Sequence, residues 1–238
     1  MKRLLLLSNS TNFGEPFLQY PINIIQQFLG PAVPEVLFVP YAGVRFSFVD
    51  YAARVRERFS EIGIGVRSVH EVENPAAAME KASAIVVGGG NTFCLLDRLY
   101  QNGLVERIRQ RVLAGVPYVG WSAGSNVACP TIKTTNDMPI VEPPSLNALG
   151  LVPFQINPHY TDATLPDHGG ETRQERLTEF LEMNPGMTVI GLQEGSLLKV
   201  EDNGIELLGR KTAKVFRKGK AVAEYVPGAS LNFLIQPS

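Results

Sequence analysis

Short, unbroken apolar runs alternate with helical segments through the first half of this chain, and no other feature restricts its fold so tightly. Residues 3–8, 36–41, 65–70, 84–88 and 117–121 read as strands, and residues 48–62 and 91–113 between them carry helical spacing. A strand that is apolar on both sides has to be covered on both sides, which calls for a parallel sheet between two helix layers. Right-handed crossovers then collect the strand-to-helix turns along one edge, where open sheets bind their ligands. Chemistry-bearing residues on those turns therefore count for more than the same residues elsewhere.

The second half reads differently. Residues 130–167 contain seven prolines and little periodicity, as expected of an ordered, functional loop region. A helix over 171–183 follows, stopped by Asn184-Pro185-Gly186, and then a strand over 188–192. Two hairpins close the chain: 196–200 with 205–208 around Asp202-Asn203-Gly204, and 214–217 with 221–225 around Lys218-Gly219-Lys220. The expectation is a single α/β domain over 1–238. Its sheet is mostly parallel, flanked by helices on both faces, and ends in C-terminal antiparallel hairpins.

Charge and cysteine usage narrow the partners. Twenty-two Lys+Arg against 23 Asp+Glu give a net charge of −1, so nothing favours a nucleic-acid backbone or an anionic membrane surface. Cys94 and Cys129 belong to no CxxC or Cys/His cluster, which fits a reducing compartment and no structural zinc. The opening Met-Lys-Arg-Leu-Leu-Leu-Leu stops at Ser8 after four leucines. That is short of the ~7–15 residues of a signal-peptide core, and no stretch nears the ~20 of a membrane span. A soluble, cytoplasmic protein with a small-molecule or peptide substrate is expected.

The sharpest motif is Gly120-Trp121-Ser122-Ala123-Gly124, a G-x-S-x-G directly after an apolar strand. On such a strand-to-helix turn the serine hydroxyl stands exposed at the sheet edge, and the next amide, here of Ala123, can face a developing oxyanion. With 22 Gly and 12 Ser in 238 positions, about 0.1 such triplet arises by chance. The bland alternative is a glycine-rich turn with an idle serine. A second turn, Gly88-Gly89-Gly90-Asn91-Thr92, offers bare amides before a helix, as a phosphate cradle or as the other half of an oxyanion hole. Neither a P-loop nor a G-x-G-x-x-G accompanies it, which favours the oxyanion role over a simple packing turn.

A serine needs a base, and histidine suits that at neutral pH. Of the three histidines, His70 ends a strand and His168 sits in a Pro-Asp-His-Gly-Gly turn. His159 follows Pro158 at the end of a short apolar segment, and is the candidate base.

Taken together, GWSAGSN, GGGNTF, TTNDMPIV, QINPHY, GETRQER and VIGLQEG resemble the aspartyl dipeptidases of the S51 serine peptidase family, from the opening LLLLSNST to about Gly195. The resemblance implies an α/β fold akin to class I glutamine amidotransferases and hydrolysis of dipeptides with a free N-terminal aspartate, with no metal or other cofactor. It implies Ser122 as nucleophile, His159 as base, and Gly89, Gly90 and Ala123 around the oxyanion. For the acid behind the imidazole it offers Asp137 and Glu194. Related amidotransferases place an acid two residues after the histidine, where this chain has Thr161. The slight preference here is Asp137. Arg173 resembles the family's clamp for the aspartate side chain, and Asn91 is a candidate for the substrate ammonium. A homodimer is the assembly to test. The rivals are a cyanophycinase-like hydrolase of aspartyl polymers, a non-catalytic small-ligand-binding protein of the same fold, and a nucleotide-binding regulator.

Overall fold

A computed structural model describes residues 2–164, 169–202 and 204–235. Its main sheet has seven strands in the order β3-β2-β4-β5-β1-β8-β9. In chain order these are β1 (Arg3–Leu7), β2 (Glu35–Val39), β3 (Gly65–Ser68), β4 (Ile85–Val87), β5 (Tyr118–Trp121), β8 (Ser196–Glu201) and β9 (Gly204–Gly209). The first five run parallel, and the β8–β9 hairpin adds to β1 antiparallel.

The period-two geometry of a strand explains why the leucine run is apolar throughout. Leu5 and Leu7 face the layer of α1 (Ile22–Leu29) and α2 (Phe48–Ser60), packing with Ile25, Val55 and Phe59. Leu4 and Leu6 face the opposite layer of α3 (Pro75–Glu80), α4 (Thr92–Gln101) and α5 (Leu104–Leu113), with Leu95, Leu99 and Ile108. All four leucines are fully buried, each contributing about 1.5–3 kcal/mol of hydrophobic stabilisation.

A second sheet of four strands, in the order β11-β10-β7-β6, lies beyond. It comprises β6 (Gln155–Tyr160), β7 (Thr188–Gln193), β10 (Ala213–Arg217) and β11 (Ala223–Tyr225). One helix, α7 (Arg173–Met183), packs Leu177 and Leu181 against its Tyr160, Val189 and Phe216. No helix among the described residues is long and apolar enough to cross a membrane.

Several expectations are corrected. The helix predicted over 91–113 is two helices, α4 and α5, separated by Asn102-Gly103. Helices α1 and α3 are additional to the predicted elements. The two hairpins separate, β8–β9 joining the large sheet and β10–β11 the small one. The proline-rich region contains β6, a strand that Pro158 conceals in the sequence. The strand tolerates the proline because it lies at the sheet edge, with a register irregularity between Asn157 and Tyr160.

Candidate active site

Strand β5 ends in the serine turn, which leads into the short helix α6 (Ala123–Asn126). Ser122 adopts φ +53° and ψ −112°, a strained backbone conformation for a residue with a side chain. Close packing holds it there. A Cβ on Gly120 would lie 2.5 Å from the Gly124 carbonyl oxygen, and one on Gly124 would run into the Val87 carbonyl. Ser125, wholly buried, shares its single hydroxyl proton between the carbonyls of Leu7 (2.7 Å) and Gly120 (2.8 Å), tying the turn back onto two strands. The glycines of G-x-S-x-G are thus demanded by backbone proximity on both sides of the serine.

The imidazole comes from the other sheet. His159 sits at φ +53° in the irregular stretch of β6, where the strand turns its side chain out of the pleat. Its Nε2 lies 2.9 Å from Ser122 Oγ, and its Nδ1 lies 2.7 Å from Glu194 Oε1. Glu194 occupies the turn where the chain leaves β7 for β8, so it stands at the crossing between the two sheets. Ser8, just after β1, fastens His159 from behind. It donates to Leu192 O (2.8 Å) and accepts from the His159 amide (2.9 Å). Hydroxyl, imidazole and carboxylate thus form one hydrogen-bonded series, the geometry needed to draw a proton from a serine.

The series opens into a cleft of about 390 Å³ that also takes in Gly89, Gly90, Tyr51 and Asp137. Gly89 packs directly on the Ser122 turn, since a Cβ there would lie 3.0 Å from Ser122 Cβ. Among the described residues the amides of Gly89, Gly90 and Ala123 find no acceptor, so they remain available to an oxyanion beside Ser122. Behind them Trp121 Nε1 donates to Tyr51 Oη (2.9 Å), which donates to Gly89 O (3.1 Å). Burial pushes the Tyr51 phenol far above its ordinary pKa, so it remains a neutral donor to that carbonyl.

Two other assignments shift. Asp137, preferred above as the acid behind the imidazole, is engaged at the N-terminus of α4 instead. Its Oδ2 accepts from Thr92 N (2.7 Å), Thr92 Oγ1 (2.6 Å) and Thr135 Oγ1 (3.0 Å). A helix N-terminus favours a carboxylate there, and Glu194 is left as the partner of His159. Asp137 still borders the cleft, and its Oδ1 has no donor among the described residues. Asn91 does not line the cleft. Its Oδ1 caps α4 by accepting from Cys94 N (3.0 Å), and its Nδ2 donates to Met138 O (2.9 Å).

Arg173 opens the first turn of α7 in a separate hollow with Thr161, Thr164 and Arg176. Burial, followed by repulsion from Arg176, lowers its pKa, but it does not border the cleft of Ser122. His168 lies outside the described residues. His70 pairs with Ser68 Oγ (2.6 Å) on the far flank of the sheet, its pKa lowered by burial. The sequence reading missed Arg54 and Phe17, both of which line the cleft. Arg54 carried no signal, being one of several charges on the polar side of α2. Asn9, Ser10 and Thr11 also line it, and their position just after a parallel strand is a signal that could have found them.

Comparison with known proteins bears on the fold and the family. Residues 4–208 match the family model "Peptidase family S51". A peptidase E of Nostoc sp. is 52% identical over 235 residues, covering 99% of this chain and 97% of the relative. The peptidase E of Streptomyces coelicolor is 50% identical, covering 98% and 94%. Among solved structures, a peptidase from an acI-B1 Actinobacterium superposes with a TM-score of 0.71 at 16% identity, covering 97% of this chain and 96% of that one. A putative peptidase E from Listeria monocytogenes EGD-e gives 0.65 at 23%, covering 95% and 98%. At those identities the superpositions speak for the fold alone. With a family match over most of its length and relatives at half identity, this chain belongs to peptidase family S51, and its reaction is the hydrolysis of peptides.

Proposed function

We propose that the protein is a serine-type dipeptidase of the cytoplasm that releases an N-terminal aspartate from Asp-X. One observation carries the serine type: Ser122 Oγ, His159 and Glu194 are hydrogen-bonded in series at a cleft bordered by Gly89 and Gly90, whose amides have no acceptor among the described residues. The choice of aspartate follows from the family resemblance of the motifs and from relatives that bear the name peptidase E.

In this mechanism Ser122 Oγ attacks the Asp-X carbonyl carbon while His159 Nε2 takes its proton. The carbonyl oxygen, now negative, accepts from the amides of Gly89, Gly90 and Ala123. Collapse breaks the C–N bond, and the leaving amine takes the proton from His159 Nε2. Water then attacks the aspartyl ester, its proton passing to His159 and on to Ser122 Oγ as free aspartate departs. Glu194 accepts from Nδ1–H throughout, fixing the tautomer and stabilising the imidazolium. Asp137, which borders the cleft and whose Oδ1 takes no hydrogen bond among the described residues, is the partner for the substrate ammonium. Arg173 remains the proposed holder of the aspartate side chain, by resemblance rather than by its place in the cleft.

The test is a dipeptide panel of Asp-Leu, Asn-Leu and Ala-Leu, assayed in EDTA with the wild type and Ser122→Ala. Asp-Leu should be hydrolysed best, and kcat should fall by about 10⁴ in the variant while its circular dichroism is retained. Undiminished turnover in Ser122→Ala would remove the serine mechanism. Equal rates across the panel would remove the aspartate preference.

A further inference from the structure

Arg54 has no part in the mechanism above, yet it lines the same cleft as Ser122 and His159. It lies one turn beyond Tyr51 on α2, and its guanidinium rests 4.7 Å from the centre of the Phe17 ring. That stacking restrains an otherwise flexible side chain. Among the described residues it meets no carboxylate within 4.0 Å. It is the one Lys or Arg among the described residues that border the cleft, as Asp137 is the one Asp or Glu.

The two charges border the cleft from elements on opposite sides of the sheet. Asp137 is held by the N-terminus of α4, in the layer over Leu4 and Leu6. Arg54 stands on α2, in the layer over Leu5 and Leu7. A free dipeptide has the same polarity, with an ammonium on one side of its single peptide bond and a carboxylate on the other. With the ammonium at Asp137, the first residue and its side chain lie on the Asp137 side of the scissile carbonyl. The leaving residue then falls toward Arg54, where Phe17 and Phe46 supply apolar walls for its side chain.

We infer that Arg54 is a specificity-determining residue that receives the C-terminal carboxylate of the leaving amino acid, so that the cleft favours free dipeptides over blocked or longer peptides. This rests on the dipeptidase reading. Both candidate ligands are carboxylates, one at the C-terminus of the substrate and one on the side chain of its first residue, and the test separates them.

The experiment compares kcat/KM for Asp-Leu and Asp-Leu amide, which differ only in the terminal charge. The wild type should prefer the free acid by about tenfold, mostly through KM, as suits a charged hydrogen bond at a partly hydrated site. Arg54→Ala should bring that ratio close to one, and Arg54→Lys should keep most of it. A wild type without the preference, or a ratio unchanged in Arg54→Ala, would overturn the assignment. Parallel losses on both substrates in that variant would assign Arg54 to the first residue's side chain. A wild type inactive on both would instead show the dipeptidase reading itself to have failed, before any Arg54 variant is made.

Discussion

The large sheet presents Ser122 on a turn locked by backbone contacts, whereas the small sheet presents His159 from an irregular stretch of an edge strand. On the first side the constraints are carbonyl against α-carbon, at Gly120 and Gly124, and nothing there can yield cheaply. On the second they are hydrogen bonds of single side chains: Ser8 to the His159 amide and Glu194 to the ring. Ser122 is fixed by packing and His159 by polar contacts reaching across from elsewhere. Substitutions should therefore cost stability on the first side and catalytic geometry on the second.

The largest effect tests the packing half. Gly124→Ala drives a methyl into the Val87 carbonyl and should destabilise the fold by about 3–4 kcal/mol in urea unfolding. Gly191→Ala, in β7, meets the Tyr160 ring at 2.6 Å instead. The atoms met include Cγ at 2.6 Å and Cβ at 3.1 Å of a buried tyrosine, which can shift only a little, so about 2–3 kcal/mol is expected there, less than for the backbone clash. Equal costs at the two positions would end the contrast between the sheets.

The next effect separates the two acids. Glu194→Gln should lower kcat by about 100-fold with little change in KM, since it disturbs the imidazole and not substrate binding. The loss should be smaller than in enzymes where the acid is buried, because the Glu194 side chain is 52% exposed. Asp137→Asn should act mainly on KM, by about tenfold, with a small loss of stability from the weakened N-terminus of α4. If kcat fell further in Asp137→Asn than in Glu194→Gln, the hydrogen bonds drawn at these two acids would be misassigned.

This unevenness also explains what the sequence could and could not disclose. Ser122 is legible because its turn is local: strand, glycine, serine and glycine lie within nine consecutive residues. The parallel sheet is legible for a similar reason, since strands covered on both faces must be apolar on both. Which of Asp137 and Glu194 contacts His159 is not local. It is decided by Thr92, 45 positions from Asp137, and by the turn that carries Glu194 between the sheets. Pro158 concealed β6, because a proline argues against a strand unless an edge and an irregular register accommodate it. Arg54 was invisible, since its use depends on where the loop after β1 brings Phe17.

Ser8 offers the smallest and most specific test, because it belongs to the large sheet and acts on the small one. Its wholly buried hydroxyl serves two backbone groups across the seam, and alanine there strands the His159 amide and the Leu192 carbonyl together. The cost should be about 1–2 kcal/mol of stability, as for other lost buried hydrogen bonds. A few-fold fall in kcat should accompany it, because the amide released is the one that aims the base. Ser60→Ala supplies the contrast, since that exposed hydroxyl donates only to Glu57 O within its own helix. Measured by urea unfolding and steady-state rates, Ser8→Ala should suffer in both and Ser60→Ala in neither. A Ser8→Ala protein that lost stability and kept its full kcat would mean that Glu194 alone holds the imidazole in place.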